Sequence, residues 1–478
     1  MHSLRLAVFT SLVAGIAASA SAADILVPQD NPDLKAALLA AQPGDRVIVM
    51  GGTWRNGRVV SGIQLVGRLG ATLSGLWEIQ GAGASVEGFA VRDGQIQVEA
   101  DDVSIRLNRF SAPKYAVMVA GTGVSRLTIA GNRFNTATAQ IEQATDVVMR
   151  SNRVAVGELI VLGNGTVMED NTFVRRAQFG VHDGGDALVQ RNRAPNMYVT
   201  GVDRAVVQDN VVRGGGLVVR GQGVLVTRNR VLAGRGLVVE GDAATVTENR
   251  VNLLYGDLTV RGDRVTVTDN VIDSRATPRL KLSGSYVFHV RGAGPASILR
   301  NEVRYRMRAG ALIECDDAEI ALNVVQGQSA ASCLYVGGNR NNVHDNTLRQ
   351  GPGALDVAST LTIEGDANVV ADTTVHGAGY DGVSVTGADN FLARVHVENA
   401  GRCGITVGET ATGTGLADCT ADGARWSALF VLGTDTTVTN GSFTDGRKVD
   451  VLDLGTNTQF VSATFATKSE DEGLKPYR

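Results

Sequence analysis

Proline, cysteine and aromatic residues are scarce in this chain, and no second long apolar run follows the N-terminus. With nine prolines and 58 glycines in 478 residues, the composition is even along the chain, which indicates repeats rather than unlike domains. An aromatic content of 5% disfavours a protein dedicated to stacking sugars on rings. Beyond the N-terminus no stretch reaches the roughly 18 apolar residues of a membrane span, so none is expected. The net charge of −4 gives no reason to expect nucleic acid as a partner.

The four cysteines, Cys315, Cys333, Cys403 and Cys419, all lie in the C-terminal half. An exported protein can form disulfides, and Cys315 and Cys333 are about one repeat apart. Buried free thiols fit the sequence equally well. For the Cys315/Cys333 and Cys403/Cys419 pairs both alternatives therefore remain open.

Residues 1–23 are predicted to be a secretory signal peptide. A positive charge at Arg5 precedes an apolar run to about Ala18, and small residues offer cleavage near Ala22 or Ala23. We therefore expect a soluble mature protein that is secreted or periplasmic.

An asparagine recurs in one short context, as in "GNRF", "RNRV" and "DNVI", mostly at intervals of 18 to 24 residues. The positions are Asn108, Asn132, Asn152, Asn171, Asn192, Asn210, Asn229, Asn249, Asn270, Asn301, Asn323 and Asn346. Short alternating segments rich in β-branched residues surround them, which is typical of strands joined by tight turns. Asparagine suits such turns because it tolerates left-handed backbone and its amide can bond to neighbouring main chain.

A repeat of about 20 residues cannot bury its apolar face alone, whereas stacked coils can. The sequence therefore predicts an all-β fold, a single right-handed parallel β-helix of about 15 coils. Residues 24–45 are predicted to cap it with a short amphipathic helix that places Leu34, Ala37, Leu38 and Ala41 on one side. The β-helix is expected over 46–465 and a polar tail over 466–478. We expect a monomer.

A first set of candidate site residues lies about nine positions before the asparagines. This column reads Asp183, Gly201, Arg220, Glu240, Arg261, Gly292 (with Arg291 one step away), Glu314 and Gly337. The functional interpretation is a groove in which the arginines bind carboxylates of an acidic polymer and Glu240 or Asp183 moves a proton. The alternative is a ladder of ion pairs along an exposed edge, which the alternating signs favour.

A second set directly follows the asparagines: Arg109, Arg133, Arg153, Arg193, Arg230 and Arg250. These side chains are able to follow an anionic chain. Acids just before the nearby asparagines, such as Asp170 and Asp209, favour a mixed and solvated face instead.

The longest interval, residues 271–310, carries the third set of candidates. It contains an insertion, then Tyr286, His289 and Arg291, and later Tyr305 and Arg306. Insertions into a solenoid often carry function, and Tyr, His and Arg together are able to move a proton beside a carboxylate. Lys281 and Arg308 belong to the same set. The alternative is an insertion whose basic residues are ordinary surface residues.

The N-terminal third, "DILVPQDNPDLKAALLAAQPGDRVIVMGGTWRNGRVV" and "GATLSGLWEIQGAGASVEGFAVRDG", resembles polysaccharide lyase family 6, which contains chondroitinase B and alginate lyases. The resemblance covers about 75 residues and implies a right-handed parallel β-helix. It further implies cleavage of an acidic polysaccharide by β-elimination. In that family a Lys takes the proton at C5, an Arg assists, and Ca²⁺ often neutralises the uronate.

The family's site residues are not matched in this chain. Asp183 stands where the Lys is expected, and Gly201 stands where the Arg is expected one coil later. Gln178 and Arg176 replace the acids that would bind Ca²⁺, so calcium is implied only by the resemblance. Arg220 is similar to the family's Arg-bearing strand end, but no Lys precedes it by one coil.

The stretch "FGVHDGGD" also resembles the "YG.DPHD" motif of mannuronan C5-epimerases, with His182 and Asp183 on its final "HD". We expect an exported lyase acting on a uronate-containing polysaccharide, with an acidic polysaccharide as its partner. The predicted catalytic residues are His182, Asp183, Arg220, Glu240 and His289. The predicted substrate-binding residues are Arg261, Tyr286, Arg291, Tyr305 and Arg306. A non-catalytic binding or surface-structural β-helix and a C5-epimerase are the alternatives.

Overall fold

The computed structural model describes residues 22–111, 115–119, 123–142, 144–174, 177–274, 286–306, 309–328, 332–351 and 358–474. Residues 1–21, most of the predicted signal peptide, lie outside these ranges, as do Arg176, Lys281 and Arg308. Among the described residues no helix has the length and apolar character needed to span a membrane.

Each coil contributes three short strands, which we call the first, second and third strands. In the coil that holds Asn229, the first strand is Gly216–Arg220 and the second is Leu225–Thr227. The third strand begins directly after the asparagine, at Arg230, and continues without a break into the first strand of the next coil as Arg230–Glu240. Strands of successive coils pair in parallel with their counterparts, as Leu225 does with Thr245.

Within the described ranges, the second strands form one sheet of 21 strands, from Asp24–Val27 to Gln459–Val461, and the first and third strands form a second sheet of 34. The predicted all-β parallel β-helix is thus confirmed. The expected count of about 15 coils was too low, because one second strand per coil gives 21. Coils before Asn108 and after Asn346 lack the asparagine from which the repeat was counted.

From Arg109 onward, the third strands that do not continue into the following first strand are Arg109–Ser111, Arg133–Phe134, Arg153–Val154, Thr172–Phe173, Arg193–Ala194, Val211–Arg213, Val271–Ser274, Glu302–Arg306, Val324–Gln328, Thr347–Gln350, Thr374–His376, His396–Glu398, Thr420–Asp422 and Ser442–Phe443. The first strands from Glu158 onward are Glu158–Leu162, Gln178–Gly185, Met197–Asp203, Gly216–Arg220, Tyr286–Arg291, Ala309–Glu314, Leu334–Gly337, Leu361–Glu364, Val383–Thr386, Cys403–Val407, Ser427–Val431 and Val449–Asp453. Arg230–Glu240 and Arg250–Arg261 combine both types.

A short helix, Leu34–Ala40, lies at the N-terminal end of the stack. The Asp33 carboxylate accepts a hydrogen bond from Lys35 N and so caps the helix. Leu34, Ala37 and Leu38 are buried, as is Ala41. The sheet itself begins within the region predicted to be a cap, because Asp24–Val27 already pairs with Arg46–Met50. At the other end Lys468–Ser469 pairs with Val449–Asp453, so part of the predicted tail belongs to the stack.

The twelve asparagines form a buried ladder along the rod. The backbone N–H of Asn210 donates to Oδ1 of Asn229 at 3.0 Å, and Nδ2 of Asn210 donates to the same oxygen at 3.0 Å. Nδ2 of Asn210 also donates to the carbonyl of Val189 at 2.8 Å. All twelve are at most 4% exposed. Because each amide links neighbouring coils, the ladder fixes the position of every coil relative to the next.

The left-handed residue of this turn is the one before each asparagine. Asp209, Arg228 and Glu248 have φ of 56°, 53° and 56°. The left-handed backbone was expected at the asparagine itself, but the asparagine instead forms the hydrogen bonds between coils. Most residue types adopt this conformation only at some cost, which the stacked coils offset.

The main hydrophobic cluster runs along the inside of the coils from Val27 to Val451. Valine, leucine and isoleucine alternate with outward residues on each strand, as the period of two requires. All four cysteines are buried free thiols in this structure.

Replacing one ladder asparagine should destabilise the rod. In Asn229→Ala the N–H and amide groups of Asn210 lose their acceptor in the interior, so we expect the free energy of unfolding to fall by about 2 kcal/mol or more. Urea unfolding followed by circular dichroism measures it. Asn252→Ala, at a partly exposed position of a third strand, is the control and should change stability by less than about 0.5 kcal/mol. Equal effects of the two substitutions would contradict a structural role of the ladder.

The thiols should be unreactive in the folded protein. Burial raises the pKa of Cys333 and Cys403 to about 12 and that of Cys315 and Cys419 to about 11. At pH 8 a thiol reagent should therefore find no reactive cysteine in the native protein and four after denaturation without reductant. Finding only two thiols after denaturation would demonstrate a disulfide.

Candidate functional site

The ends of the first strands form the column of residues that the sequence predicted. In its first two coils, the aligned residue lies one position earlier in the chain than predicted. Strand pairing aligns the following residues in successive coils: His182, Thr200, Arg220, Glu240, Arg261, Arg291 and Glu314. Asp183 and Gly201 lie one position beyond the column, since the segment between the column and the second strand is one residue longer in those coils. Arg291 is aligned for the same reason, although counting from the asparagine pointed to Gly292. We call these aligned residues the first-strand column.

The middle of the first-strand column is a ladder of ion pairs. Arg220 Nε lies 2.6 Å from Oε2 of Glu240, and Arg261 Nη1 lies 2.8 Å from Oε1 of the same carboxylate. This ladder of ion pairs is the alternative interpretation that the alternating charges in the sequence favoured. Each oxygen of the Glu240 carboxylate is therefore engaged with an arginine.

His182 is the first residue of the first-strand column, and Asp183 directly follows it in the chain. Among the described contacts, their side chains form no hydrogen bond or ion pair with each other. His182 Nδ1 lies 2.6 Å from Oγ1 of Thr200. Asp183 is an exposed residue of the strand Gln178–Gly185, with φ of 51°. His182 and Arg291 are five coils apart, about 24 Å along the rod at about 4.8 Å per coil. The structure therefore does not bring together the two histidines that the sequence proposed as catalytic.

A cluster of different character forms around His289. On the strand Tyr286–Arg291, His289 and Arg291 alternate and so share the outer face. His289 Nε2 lies 3.1 Å from Oε2 of Glu314, and Arg291 Nε lies 3.9 Å from the same oxygen. His289 is largely shielded, with 20% of its side chain exposed, whereas Arg291 is 67% exposed. A histidine oriented by a carboxylate beside an accessible cation is an arrangement suited to proton transfer.

Two tyrosines, Tyr286 and Tyr335, complete this group of residues. We call His289, Arg291, Glu314 and the two tyrosines the His289 cluster. The rings of Tyr286 and Tyr335 are 6.4 Å apart, and the Tyr335 hydroxyl donates a hydrogen bond to the carboxylate of Glu364. Burial, and then the charges of Glu364 and Glu314, raise the pKa of Tyr286 to about 12. Burial and the bond to Glu364 likewise raise the pKa of Tyr335. Both phenols therefore keep their protons at neutral pH.

A depression of about 560 Å³ lies beside the same coils on the third strands. Arg304, Arg306, Gln326 and Arg349 line it, and Arg304 forms an ion pair with Glu302. Arg306 and Arg349 are exposed and form no ion pair within the described part of the chain. Two accessible guanidinium groups in one depression are suited to bind carboxylates.

Tyr305, predicted to bind substrate, forms the floor of this depression instead. It is 3% exposed, and its hydroxyl lies 2.8 Å from Cys333 Sγ. Burial raises its pKa well above the usual value. Its position suits support of the neighbouring Arg304 and Arg306 rather than contact with a polymer.

Sequence reasoning overlooked Tyr335, Glu364 and Arg349 and did not select Glu314. One signal was present for Glu364, since "LTIEG" repeats the strand end "LVVEG" that carries Glu240. Tyr335 joins the cluster only because it lies two coils after Tyr286, and no local pattern marks it.

The described residues do not fit the calcium site implied by the family resemblance. Gln178 is exposed and offers an amide in place of a carboxylate, and Arg176 lies outside the described ranges. No group of three or more His, Cys, Asp or Glu residues suited to a metal occurs among the described residues. The proposed mechanism therefore does not use Ca²⁺.

No protein-family model matches the chain, and no curated protein matches it at a significant level. Among solved structures, the chain is similar to the PL6 family alginate lyase AlyGC, with 10% identity over 93% of this chain and 100% of that chain and a TM-score of 0.35. It is similar to DFA-IIIase from Arthrobacter chlorophenolicus A6, with 16% identity over 55% and 85% of the two chains and a TM-score of 0.35. A third is PfbA, a surface adhesin of Streptococcus pneumoniae, with 10% identity over 67% and 88% and a TM-score of 0.30. Likenesses this low carry no argument about activity, and membership of lyase family 6 stays a prediction.

Tyr286 should titrate later than an ordinary tyrosine. In an alkaline difference spectrum between the native protein and Tyr286→Phe, we expect a midpoint near pH 12 rather than 10. Because the folded pKa exceeds the unfolded value, this group leaves stability unchanged below about pH 10 and lowers it as the pH rises from 10 to 12. That decline should be smaller in Tyr286→Phe. A midpoint near pH 10 would show that the ring is not shielded.

Proposed function

We propose that this protein is an exported, carbohydrate-active β-helix that cleaves a uronate-containing polysaccharide by β-elimination at the His289 cluster. The observation that carries the proposal is the convergence of His289 and Arg291 on Glu314, next to two protonated phenols. Export is the part of the proposal that depends on the predicted signal peptide.

β-Elimination needs three groups: a cation on the uronate carboxylate, a base for the C5 proton and an acid for the leaving oxygen at C4. Arg291 is the cation, because it is exposed and only loosely held by Glu314 at 3.9 Å. Binding the carboxylate makes the adjacent C–H more acidic. The electrons of the broken C5–H bond form the C4=C5 double bond as the C4–O bond breaks.

His289 is the base in this mechanism. If Nε2–H donates to Glu314 at 3.1 Å, the lone pair on Nδ1 is left to accept the C5 proton. The Glu314 carboxylate then stabilises the imidazolium, as a carboxylate does for a catalytic histidine. Tyr286 returns a proton to the leaving oxygen, since its raised pKa keeps it protonated. Arg306 and Arg349 hold carboxylates of flanking sugars in the adjacent depression.

Hydrolysis is a second candidate, favoured by one observation. Glu314 and Glu364 belong to the same column, two coils apart through Gly337. Their backbone separation of about 10 Å is near the carboxylate spacing of about 6.5–9.5 Å in inverting glycosidases. Hydrolysis yields new reducing ends without a double bond, so the product distinguishes the two reactions.

The deciding experiment is a product screen on alginate, polygalacturonate and glycosaminoglycans. Elimination predicts new reducing ends together with the ultraviolet absorbance of an unsaturated uronate. Reducing ends alone would support hydrolysis, and an altered uronate composition without cleavage would support epimerisation. Retention of a polymer without any product would support a binding protein. The last three outcomes each overturn the lyase proposal, as does inactivity on every polymer.

Two matched pairs of variants locate the chemistry. Glu314→Gln should lower kcat about 100-fold or more, because His289 loses the carboxylate that orients it. Glu240→Gln, in the same column but held between two arginines, should keep kcat within about twofold. His289→Gln should likewise abolish turnover whereas His182→Ala retains it. Loss of activity in Glu240→Gln or His182→Ala, with normal folding by circular dichroism, would move the site away from the His289 cluster, to the middle or the His182 end of the column.

A further inference from the structure

The arginines that follow the ladder asparagines form a second column, at the start of the third strands. Strand pairing aligns eight successive coils from Arg109 to Arg250, in the order Arg109, Arg133, Arg153, Thr172, Arg193, Val211, Arg230 and Arg250. We call the six arginines the arginine column. At about 4.8 Å per coil it extends about 34 Å along the rod.

The acids expected to neutralise this face are already paired with other arginines. Asp170 pairs with Arg191 at 3.0 Å and Asp209 pairs with Arg228 at 2.9 Å. These pairs lie in the left-handed turn before the asparagine, and one buried residue separates each of them from the arginine column. Glu248 lies in the same turn, where its charge acts on Arg228. The mixed face that the sequence favoured therefore consists of two separate rows of charges. In the row of turn residues before the asparagines, arginines form ion pairs with acids, whereas the arginine column contains no such pairs.

Within the described part of the chain, the arginine column has no carboxylate partner. All six side chains are exposed, and among the described residues only Arg133 forms a side-chain hydrogen bond, from Nε to Asn135 Oδ1 at 3.1 Å. The next outward positions of these strands carry no acid either: Ser111, Asn135, Ala155, Val174, Pro195, Arg213, Leu232 and Asn252. The column ends where Val271 and then Glu302 occupy its position.

Like charges directly opposite one another on neighbouring strands are destabilising. Arg109, Arg133 and Arg153 stand in this relation, as do Arg230 and Arg250. A chain with net charge −4 thus aligns six cations without any acid between them. An anionic ligand along the column would relieve the repulsion and neutralise the row.

The shape of the arginine column selects the kind of ligand. Its positions follow the coils at about 4.8 Å, close to the length of one pyranose unit in an extended chain, and arginine occupies six of the eight. Phosphates of duplex DNA recur at about 3.4 Å per strand and wind around an axis, so they cannot follow it. Single-stranded nucleic acids need aromatic platforms, and none of the outward positions named above is aromatic. Between Arg193 and Arg213 the surface forms a trough of about 390 Å³ beside Thr172 and Val211, where the column lacks arginine.

We propose that the arginine column is a binding surface for an extended acidic polysaccharide, separate from the His289 cluster. It shares its ligand class with the proposed function but not its residues. Arg230 and Glu240 stand at opposite ends of one 11-residue strand, and the column ends before the coil of His289. The surface holds the polymer on the N-terminal half of the rod whether or not the C-terminal half cleaves it.

The chain offers a closely matched pair of variants for the test. Arg193→Gln with Arg230→Gln removes two charges from the arginine column. Arg191→Gln with Arg228→Gln removes two charges from the same coils, two residues earlier, but from arginines already paired with Asp170 and Asp209. Binding of fluorescently labelled alginate and polygalacturonate is measured at several salt concentrations in a His289→Gln background, so that turnover does not shorten the probe.

We expect the Arg193/Arg230 variant to bind roughly tenfold more weakly, with a shallower salt dependence, and the Arg191/Arg228 variant to bind within about twofold of the parent. Equal weakening in both variants would overturn the assignment, because net charge alone would then explain binding. So would absence of binding in the parent, or preference for duplex DNA over both polymers. None of these outcomes depends on whether the wild-type protein forms an unsaturated product.

Discussion

The hydrogen bonds of the buried asparagine ladder are the constraint on which the rest of this structure depends. From Asn152 onward, each amide oxygen of the ladder accepts from the backbone and side chain of the asparagine one coil earlier, and each amide nitrogen reaches a carbonyl of that coil, as Asn210 and Asn229 show. In an apolar interior such groups are costly to leave unpaired. A coil that slipped by one residue would break two or three of these bonds and turn its apolar side chains outward. The ladder therefore sets one register for eleven successive steps.

A fixed register turns the outside of the rod into columns of side chains about 4.8 Å apart. At that spacing the order of charges along a column decides what it does. Alternating signs neutralise one another, as in Arg220, Glu240 and Arg261. A run of one sign, as in the arginine column, remains uncompensated and favours an anionic ligand. Where polar residues of different types converge, as around His289, the column acquires the groups that proton transfer requires.

The candidate site lies where the coils depart from the common length. The interval from Asn270 to Asn301 is 31 residues, and the strands that flank it carry Ser274 on one side and Tyr286 on the other. The core is undisturbed by the extra residues, because Val271 and Phe288 still pair with the neighbouring coil. A solenoid can thus lengthen one turn and place new side chains beside a regular column without losing the stack. The depression lined by Arg306 and Arg349 likewise lies on the outside of the rod and leaves the stacked coils intact.

The sequence by itself determined the fold class, because a recurring asparagine and alternating β-branched residues permit little except stacked coils. It also identified His289, Arg291 and Tyr286 as a group, since they are close in the chain. It could not determine which distant residues join them, because Glu314 and Tyr335 belong to later coils. Counting back from the asparagine also misplaces residues wherever a coil has one extra residue before its second strand, as at Asp183. Nor could it show that Asp170 and Asp209 are paired with Arg191 and Arg228, which leaves the arginine column without acids. Those partnerships depend on the register between coils, and only the tertiary structure decides that register.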